Sequence, residues 1–342
     1  MRTTKNSPYQ GLLICLLVSV VILIYWRETS HTEELDKVQK ALALVDLDQI
    51  SGTSEDTPQT STSNPNEDLI LFSFRETESA AKNLEFFLKH ALHAKADFIF
   101  IINGEHTQNL SALHELTNVR IIERDNRCLD LGAYHEVLTE KPTLQVAYKR
   151  FMLVNDSVRG PFFPSWAEKT CWSDAYWGKL DETTKLAGMS WNCANGANYP
   201  PHLQSMILAF TRETLQMHLL PKMKCYQDME DAVTNGETRI AGMFTEEGHD
   251  VYAMEGRFAA HAGPTRKNTT AFLEWCVDTP ETAGRGGDDV LYSGHYEGST
   301  LHPYETIFVK TNRPWDERDR KVIDLLTEHA DLSEYSSYDH CR

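Results

Sequence analysis

The stretch RFMLVNDSVRGPFF, residues 150–163, contains a continuous apolar run. Charged residues precede this run, and a Gly-Pro pair follows it. Such a run predicts a strand that is buried on both faces of a parallel sheet. The run ends in the polar cluster Asn155, Asp156 and Ser157. Because ligands bind just outside the carboxyl ends of strands in open α/β sheets, Asp156 is well placed for chemistry. All three residue types also favour turns, so a plain turn is the alternative interpretation.

Strands and helices alternate on both sides of this run. Short apolar runs predict further strands at residues 68–74, 97–103, 119–124, 185–191, 204–210 and 250–254. Helical spacing of apolar residues predicts helices at residues 80–92, 131–139, 212–220 and 238–247. This alternation predicts an α/β fold in which a mostly parallel sheet is flanked by helices.

The N-terminus predicts a membrane anchor. Residues 11–26 are almost continuously apolar and end in Tyr25 and Trp26, which is typical of a single transmembrane helix with an aromatic edge. No small-residue cleavage pattern follows, so a signal anchor is favoured over a cleavable signal peptide. Residues 1–10 then form a cytoplasmic tail, and the body is lumenal in a single-pass type II protein of the Golgi or ER membrane.

The remaining chain divides into three predicted parts. Residues 27–66 are polar and become rich in Ser, Thr and Pro, which predicts a flexible stem. Residues 67–330 are predicted to form one catalytic domain, because no internal repeat or second boundary is visible. Residues 331–342 are predicted to be a polar tail.

Charge and cysteine content limit the function classes. The formal net charge of −17 argues against a nucleic-acid partner, which needs a positive footprint. The body contains an even number of cysteines, which permits up to three disulfides in an oxidising lumen and leaves their pairing open. These are Cys128, Cys171, Cys193, Cys225, Cys276 and Cys341. Glycosylation sequons begin at Asn109 and Asn268, whereas the sequon at Asn155 lies at a predicted strand end that is poorly accessible to glycosylation.

A second polar cluster, RDNRCLDLGAY at residues 124–134, spans the end of a predicted strand and the start of a helix. Asn126 or Asp130 can cap that helix. Alternatively, the helix N-terminus holds a phosphate, while Arg127 adds positive charge and Asp130 hydrogen-bonds a sugar hydroxyl. The chain has neither a Gly-x-Gly-x-x-Gly motif nor a Gly-Lys-Ser/Thr loop, which disfavours dinucleotide oxidoreductases and P-loop enzymes.

Three motifs in a fixed order resemble the rhamnan synthesis protein F group of glycosyltransferases. They are RDNRCLDLGAY at 124–134, LVNDSVRGPF at 153–162 and HLQS at 202–205, and the similarity covers about residues 69–313. One departure is Cys128, where the group has Gly; it tightens the loop or forms a disulfide. The resemblance implies a GT-A-like fold and a hexosyltransferase that moves a sugar from a nucleotide-sugar donor to a glycan or glycoprotein hydroxyl.

The resemblance also implies roles for the motif residues. Asp156 is implied as a catalytic residue and as a ligand of Mn²⁺ or Mg²⁺. Many GT-A enzymes have an Asp-x-Asp pair here, so dependence on a divalent cation stays open. The donor-binding residues of the three motifs are Asn126, Arg127, Asp130, Asn155, Ser157, His202 and Gln204. For His202, a structural histidine that only hydrogen-bonds its neighbours is the alternative.

The predicted general base is Glu237, which starts a helix beyond the sixth strand. An acidic residue at this place can instead complement the helix dipole. Asp228, Glu230 and Asp231 are rivals, although an acidic run of this kind is usually a solvated face.

The segment from His302 to Arg313 contains the last candidates. His302 is a predicted metal ligand, and Lys310 and Arg313 are predicted to neutralise donor phosphate charge. The alternating apolar pattern after Pro303 can instead form an edge strand that closes the sheet.

A second hypothesis comes from another functional class. The protein can be a glycosyltransferase-like lumenal protein without catalysis, which binds glycans or scaffolds a complex. Cys128 and the single carboxylate at Asp156 favour this hypothesis. A lumenal hydrolase has less support, because the chain lacks a Gly-x-Ser-x-Gly elbow and a clear His-rich metal motif.

Overall fold

The computed structural model describes residues 66–194, 199–278 and 289–341. The predicted cytoplasmic tail, the transmembrane helix at 11–26 and almost all of the stem lie outside these residues. Among the residues described, no helix combines the length and the apolar character that crossing a membrane requires.

A central sheet of seven strands organises the described chain. The strands, including four short ones outside the central sheet, are β1 Asp68–Phe74, β2 Asp97–Asn103, β3 Val119–Arg124, β4 Arg150–Asn155, β5 Val158–Arg159, β6 Thr184–Gly188, β7 Trp191–Asn192, β8 His202–Leu203, β9 Ile207–Thr211, β10 Asp250–Ala253 and β11 Val309–Lys310. The order in the central sheet is β10-β6-β9-β4-β1-β2-β3.

Helices cover both faces of this sheet. Their bounds are α1 Glu78–His90, α2 Leu129–Glu140, α3 Pro142–Ala147, α4 Trp172–Trp177, α5 Arg212–Thr214, α6 Met229–Asp231, α7 Thr238–Glu246, α8 Gly256–His261, α9 Thr269–Asp278, α10 Pro303–Thr306, α11 Glu317–Leu332 and α12 Ser337–His340. Two π-helical segments continue α5 and precede α7, at Leu215–Leu219 and Ala232–Glu237.

The sheet is mixed, because one of its strands runs antiparallel to both neighbours. β1 runs parallel to β2 and β4, β2 runs parallel to β3, and β10 runs parallel to β6. β9 lies antiparallel to both β4 and β6. The prediction of an α/β fold with a mostly parallel sheet flanked by helices is therefore confirmed.

The two faces of the sheet bury alternate residues of each strand. In β1, Leu69 and Leu71 pack into the core beneath α2, whereas Ile70 and Phe72 pack into the core beneath α1. Because both faces are covered, the strand has no solvent-facing side and reads as an unbroken apolar run. This is why β1 and β2 begin and end at the residues that the sequence predicts.

Two predicted strands differ from the structure at one end. β6 leaves the sheet at Gly188 rather than at 191, and β9 enters it at Ile207 rather than at 204. Between them, β7 and β8 form a separate antiparallel ribbon. At the start of this ribbon, the Ser190 hydroxyl donates to the side-chain oxygen of Gln204 at 2.7 Å. This polar contact lies where both chains have left the central sheet.

The segment after Pro303 does not close the central sheet. It begins with helix α10, and β11 then pairs antiparallel with β5 in a ribbon of its own. The edge-strand alternative is therefore wrong for the central sheet, because the ladder partner of β11 is the short strand that follows β4.

The folded body extends past residue 330. α11 continues to Leu332, and Tyr335 and Ser337 are buried. The Ser337 hydroxyl donates to the carbonyl of His90 at 2.6 Å, and Cys341 forms a disulfide with Cys171. Residues 331–341 are thus packed against the body, which corrects the prediction that they form a polar tail.

All six cysteines of the body form disulfides. The pairs are Cys128–Cys225, Cys171–Cys341 and Cys193–Cys276. Cys128 has a φ of 66°, a left-handed conformation that favours glycine. Cys128 therefore holds a backbone conformation that glycine adopts more readily, and the disulfide to Cys225 cross-links this loop.

Glu255 is a carboxylate with no exposure to solvent. Its Oε1 accepts a hydrogen bond from the backbone N–H of Trp191 at 3.1 Å and lies 3.5 Å from Nη2 of Arg257. Its Oε2 has no hydrogen-bond partner among the described residues. Burial raises the pKa of Glu255 to about 7, although Arg257 opposes this shift.

Glu255→Gln tests this burial. A raised folded-state pKa means that the wild type loses stability as pH rises from about 4.5, the ordinary value, to about 7. Between pH 5 and pH 8, the free energy of unfolding of the Gln variant should therefore rise by about 2 kcal/mol relative to wild type. Urea unfolding at both pH values measures this difference. Glu274→Gln, an exposed change on α9, should show a pH-independent difference, and the same flat result for Glu255→Gln would contradict the assignment.

Candidate functional site

A polar cavity of about 260 Å³ opens at the carboxyl ends of β1, β2 and β4. The chain leaves β1 toward β2 and β3 on one side and later returns to β4 on the other side. A crevice forms where the strand order reverses in this way. The polar residues that line it are Ser73, Arg75, Thr77, Ser79, Asn103, Asn126, Asp130, Asn155, Asp156, Ser157, Ser205, Glu237, Lys310 and Asn312.

A chain of hydrogen bonds crosses the cavity. Nζ of Lys310 donates to Oγ of Ser157 at 3.1 Å. The Ser157 hydroxyl donates to Oδ1 of Asn155 at 2.6 Å, and Nδ2 of Asn155 donates to Oδ2 of Asp130 at 2.6 Å. We call these four residues the polar relay. It links a cation at one end to a carboxylate at the other.

Asp130 lies in the first turn of α2, where its Oδ1 accepts the backbone N–H of Leu131 at 2.8 Å. Burial raises the pKa of Asp130, and the charge of Glu237 adds to this shift, whereas Asn155 and Lys310 oppose it. Both oxygens of this carboxylate are engaged within the protein. Asp130 therefore anchors the polar relay.

Asp156 follows β4 directly. Its Oδ2 accepts the backbone N–H of Arg75, at the end of β1, with a distance of 2.6 Å. Burial raises the pKa of Asp156 to about 6, and the nearby charge of Asp130 contributes in the same direction. A cation at this carboxylate would offset both effects, because an opposite charge favours the ionised form.

Glu237 reaches the cavity from the last residue of a π-helical segment. Its Oε1 accepts the backbone N–H of Ser205 at 2.7 Å and the Ser205 hydroxyl at 3.0 Å. The preceding residue, Gly236, packs so closely on Tyr226 that a Cβ there would lie 2.8 Å from the ring. Two contacts thus fix the carboxylate, and its other oxygen has no hydrogen-bond partner among the described residues.

Lys310 reaches the cavity from the short strand β11, and burial lowers its pKa. Glu237, Asp130 and Asp289 oppose this shift through their charges. The ammonium group therefore sits among carboxylates at the cavity wall and supplies positive charge there.

The structure brings together seven of the residues that the sequence predicts for the site. These are Asn126, Asp130, Asn155, Asp156, Ser157, Glu237 and Lys310. The three rival acids do not line the cavity. Asp228 instead caps α6, where its Oδ1 accepts the backbone N–H of Asp231 at 2.9 Å.

Three other predicted donor-binding residues lie beside the cavity rather than in it. His202 is buried, and its Nδ1 lies 2.8 Å from the carbonyl of Pro200, which matches the structural alternative. Gln204 and Arg313 converge on Asp289, to which they donate at 3.0 and 2.7 Å. These two side chains therefore share Asp289 as a partner and do not line the cavity.

Arg127 and His302 point elsewhere. Arg127 is exposed, with its Nη2 3.4 Å from Oε2 of Glu136. His302 is exposed and caps α10, where its Nδ1 accepts the backbone N–H of Tyr304 at 3.2 Å. The structure therefore does not bring His302 to Asp156, the other predicted metal ligand.

Several cavity residues were missed by sequence reasoning. Ser73 is the penultimate residue of β1 and Asn103 is the last residue of β2, and Nδ2 of Asn103 donates to the Ser73 hydroxyl at 3.0 Å. Oδ1 of Asn103 also accepts from Nη1 of Arg124 at 2.6 Å. Their signal was available, because each is a polar residue at the end of an apolar run, as Asn155 is. Ser205 lies in the HLQS motif, although only His202 and Gln204 of that motif were predicted to bind the donor. Asn312 had no such signal, since long-range contacts place it.

The cavity fits a divalent cation that is shared with an anionic ligand. Asp156 offers one carboxylate oxygen that has no hydrogen-bond partner within the described chain. Mg²⁺ is typically held by one or two carboxylates together with substrate phosphates and water, so a closed protein cage is not required. In the described ranges, groups of three His, Cys, Asp or Glu side chains close enough to hold an ion lie outside this cavity.

Comparison with known proteins gives a family match. The profile of rhamnan synthesis protein F matches residues 98–274, which is just over half of the chain. This range contains all three motifs that the sequence shows. No curated protein matches the sequence significantly.

Solved structures show only distant similarity. The mannosyltransferase PcManGT from Pyrobaculum calidifontis, solved with GDP-Man and Mn²⁺, has 10% identity and a TM-score of 0.35 over 60% of this chain and 58% of its own. The galactosyltransferase LgtC, solved with donor and acceptor sugar analogs, has 14% identity and a TM-score of 0.35 over 76% and 95%. A cytidylyltransferase from Leptospira borgpetersenii has 12% identity and a TM-score of 0.25 over 44% and 63%. This chain spans less than two thirds of the first and third proteins, and the description of the fold rests on the sheet topology alone.

Asn155→Ala tests the polar relay. The change removes the donor to Asp130 and the acceptor for Ser157, so the free energy of unfolding should fall by about 1–3 kcal/mol. Asn312→Ala is the matched control, because Asn312 lines the same cavity but is exposed. It should change stability by less than about 0.5 kcal/mol. Urea unfolding measures both, and equal stabilities for the two variants would show that the relay does not stabilise the fold.

Proposed function

This chain belongs to the rhamnan synthesis protein F family, and we propose that it is a glycosyltransferase with a GT-A-like fold. The donor is a nucleotide sugar, and the acceptor is a hydroxyl of a glycan or glycoprotein. A hexose is the proposed sugar class.

One observation carries this proposal. Each of the three family motifs contributes to the same cavity. The first motif supplies Asn126 and Asp130, the second supplies Asp156 and its neighbours, and the third supplies Ser205. Residues that are distant in sequence and converge at a topological switch point form the usual place for a ligand in an open α/β sheet.

The charges of the cavity suit a nucleotide diphosphate that brings a cation. Asp156 would hold Mn²⁺ or Mg²⁺ through its free oxygen, and the ion would neutralise the leaving diphosphate. Lys310 supplies a second positive charge beside Ser157. The polar relay holds that ammonium in place, since Ser157 accepts its hydrogen bond at 3.1 Å.

Glu237 is placed to act as the general base. During transfer, a bond forms between the acceptor oxygen and the anomeric carbon, and the bond from that carbon to the diphosphate oxygen breaks. The acceptor proton passes to the free oxygen of Glu237, while Ser205 keeps the other oxygen in place. The electron pair of the broken bond leaves with the diphosphate.

We also propose that the body is lumenal in the secretory pathway and that residues 11–26, as a transmembrane helix, anchor it in the Golgi or ER membrane. Three disulfides support this placement, because disulfides persist in oxidising compartments. The sequon residues Asn109 and Asn268 are exposed and therefore accessible to glycosylation.

Asp156→Asn and Glu237→Gln test the catalytic assignment. Each change removes a carboxylate while keeping side-chain shape, so kcat/KM should fall by about 100-fold or more. Binding of a donor panel with and without Mn²⁺ is measured first by calorimetry, and transfer is then measured with the donor that binds.

The matched controls are Asp339→Asn and Glu246→Gln, which change exposed acids on α12 and α7. Both should keep wild-type kcat/KM. A wild-type protein that binds donor but transfers no sugar would instead support the non-catalytic, glycan-binding alternative. Full activity in Asp156→Asn would remove Asp156 from the site.

Glycosylation tests the lumenal placement. In a secretory host, Asn109→Gln and Asn268→Gln should each increase electrophoretic mobility by one glycan, and the double variant should be insensitive to a glycan-removing amidase. Asn155→Gln should leave the glycan count unchanged, because Asn155 is buried and bonded to Asp130. Absence of glycans on the wild type would contradict a lumenal body.

A further inference from the structure

Three potential metal-ligating side chains meet at a second place in the molecule, away from the polar cavity. His218, Glu247 and His249 each offer one ligand atom, and these atoms all lie within 4.8 Å of one another. Nδ1 of His218 lies 3.4 Å from Oε2 of Glu247. The ring centroids of the two histidines are 6.1 Å apart.

The fold fixes these side chains from two directions. His218 lies on the π-helical segment Leu215–Leu219, and its ring packs against Phe244 with the centroids 5.1 Å apart. Glu247 and His249 lie on the turn that joins α7 to β10. Gly248 has a φ of 80° there, and the backbone N–H of His249 donates to the carbonyl of Phe244 at 2.9 Å. This tight turn places residues 247 and 249 beside the same helix end.

The geometry is close to that of a zinc site. Zinc–ligand bonds of roughly 2.0–2.1 Å in a tetrahedron separate the ligand atoms by about 3.4 Å. The observed separation of 3.4 Å between His218 and Glu247 already matches this value. A plain ion pair accounts for one imidazole and one carboxylate but not for a second imidazole at the same point.

The other groups of this kind in the described ranges cannot act in the same way. One contains His93 with Cys171 and Cys341, and the other contains Glu136 with Cys128 and Cys225. Both cysteine pairs are disulfides, so their sulfurs are not thiolates and do not serve as metal ligands. His218, Glu247 and His249 remain as a set with all three ligand groups available.

We propose that His218, Glu247 and His249 bind a divalent transition-metal ion, with Zn²⁺ as the best match. Two imidazoles favour zinc over Mg²⁺ or Ca²⁺, which prefer oxygen ligands. With three protein ligands, the fourth position is open to water or to a ligand from outside the chain.

The site is separate from the proposed catalytic cavity and does not depend on the proposed function. Glu237 precedes the first residue of α7, whereas Glu247 follows the last one, so the two lie about 15 Å apart along the helix axis. An ion at the far end would connect the segment after α5 to the turn before β10, which is an edge strand of the central sheet. Binding should therefore stabilise this edge.

The test is a zinc titration of the full-length protein after removal of metals with EDTA and dialysis. Calorimetry with Zn²⁺ should show one more equivalent bound to the wild type than to the double variant His218→Ala/His249→Ala. The affinity at this site should fall at least about 100-fold in that variant. Co²⁺ in place of Zn²⁺ should give the visible absorption of a tetrahedral site in the wild type only. Because binding to the native state alone is stabilising, a saturating amount of Zn²⁺ should also raise the melting temperature of the wild type.

His114→Ala is the control, since His114 is an exposed histidine on another part of the surface. It should bind zinc as the wild type does. If the double variant does not fold, Glu247→Gln, at an exposed position, replaces it and should weaken binding in the same direction. If His218→Ala/His249→Ala, or Glu247→Gln in its place, bound zinc with the stoichiometry and affinity of the wild type, the proposal would be overturned. This holds whatever the result of the transferase assays.

Discussion

The parallel pairing of β1 with β4 is the constraint on which the rest of the site depends. In this register Ser73 lies opposite Asn155, so both strands reach their polar residues at the same level. A slip of one residue would turn every side chain of β4 to the opposite face of the sheet. Asn155 would then face an apolar layer, and the contact between Asp156 and the backbone of Arg75 would be lost. Register and chemistry are therefore specified by the same ladder.

The sequence predicts the central strands well because they are buried on both faces. β1, β2 and β4 appear as apolar runs with polar residues at or near their ends, and this signal indicates both the strands and the strand-end site residues. β6 and β9 were placed less well, since the chain leaves the sheet through a polar contact between Ser190 and Gln204. That contact joins residues 14 positions apart across a loop, so the local pattern of apolar residues does not predict it.

The same distinction applies to the site. Asp130 and Asp156 could be predicted because each sits where a helix begins or a strand ends. Gln204 and Arg313 could not be placed, because their common partner Asp289 is remote in sequence from Gln204. His302 also looked like a ligand, yet a local hydrogen bond makes it a helix cap. Composition indicates which side chains are available, whereas tertiary contacts decide where they point.

The cavity has an excess of negative charge over positive charge. Asp130, Asp156 and Glu237 face two cationic residues, Lys310 and Arg75, in the cavity wall, and burial raises the pKa values of the first two acids. An anionic ligand alone would meet repulsion there. A ligand that arrives with its own cation would find complementary charges, which agrees with the fit of Asp156 to a shared ion.

The π-helical segment Ala232–Glu237 has an evolutionary consequence. A π turn accommodates one residue more than an α turn, and such turns are often found at functional sites. Deleting the Glu237 codon would remove that extra residue and restore regular α-helical winding, while the turns on either side keep their orientation. The carboxylate would then be lost in the same step that makes the helix regular. A frame-preserving deletion in this segment, rather than a point substitution, is thus a short genetic path by which a family member can lose this carboxylate.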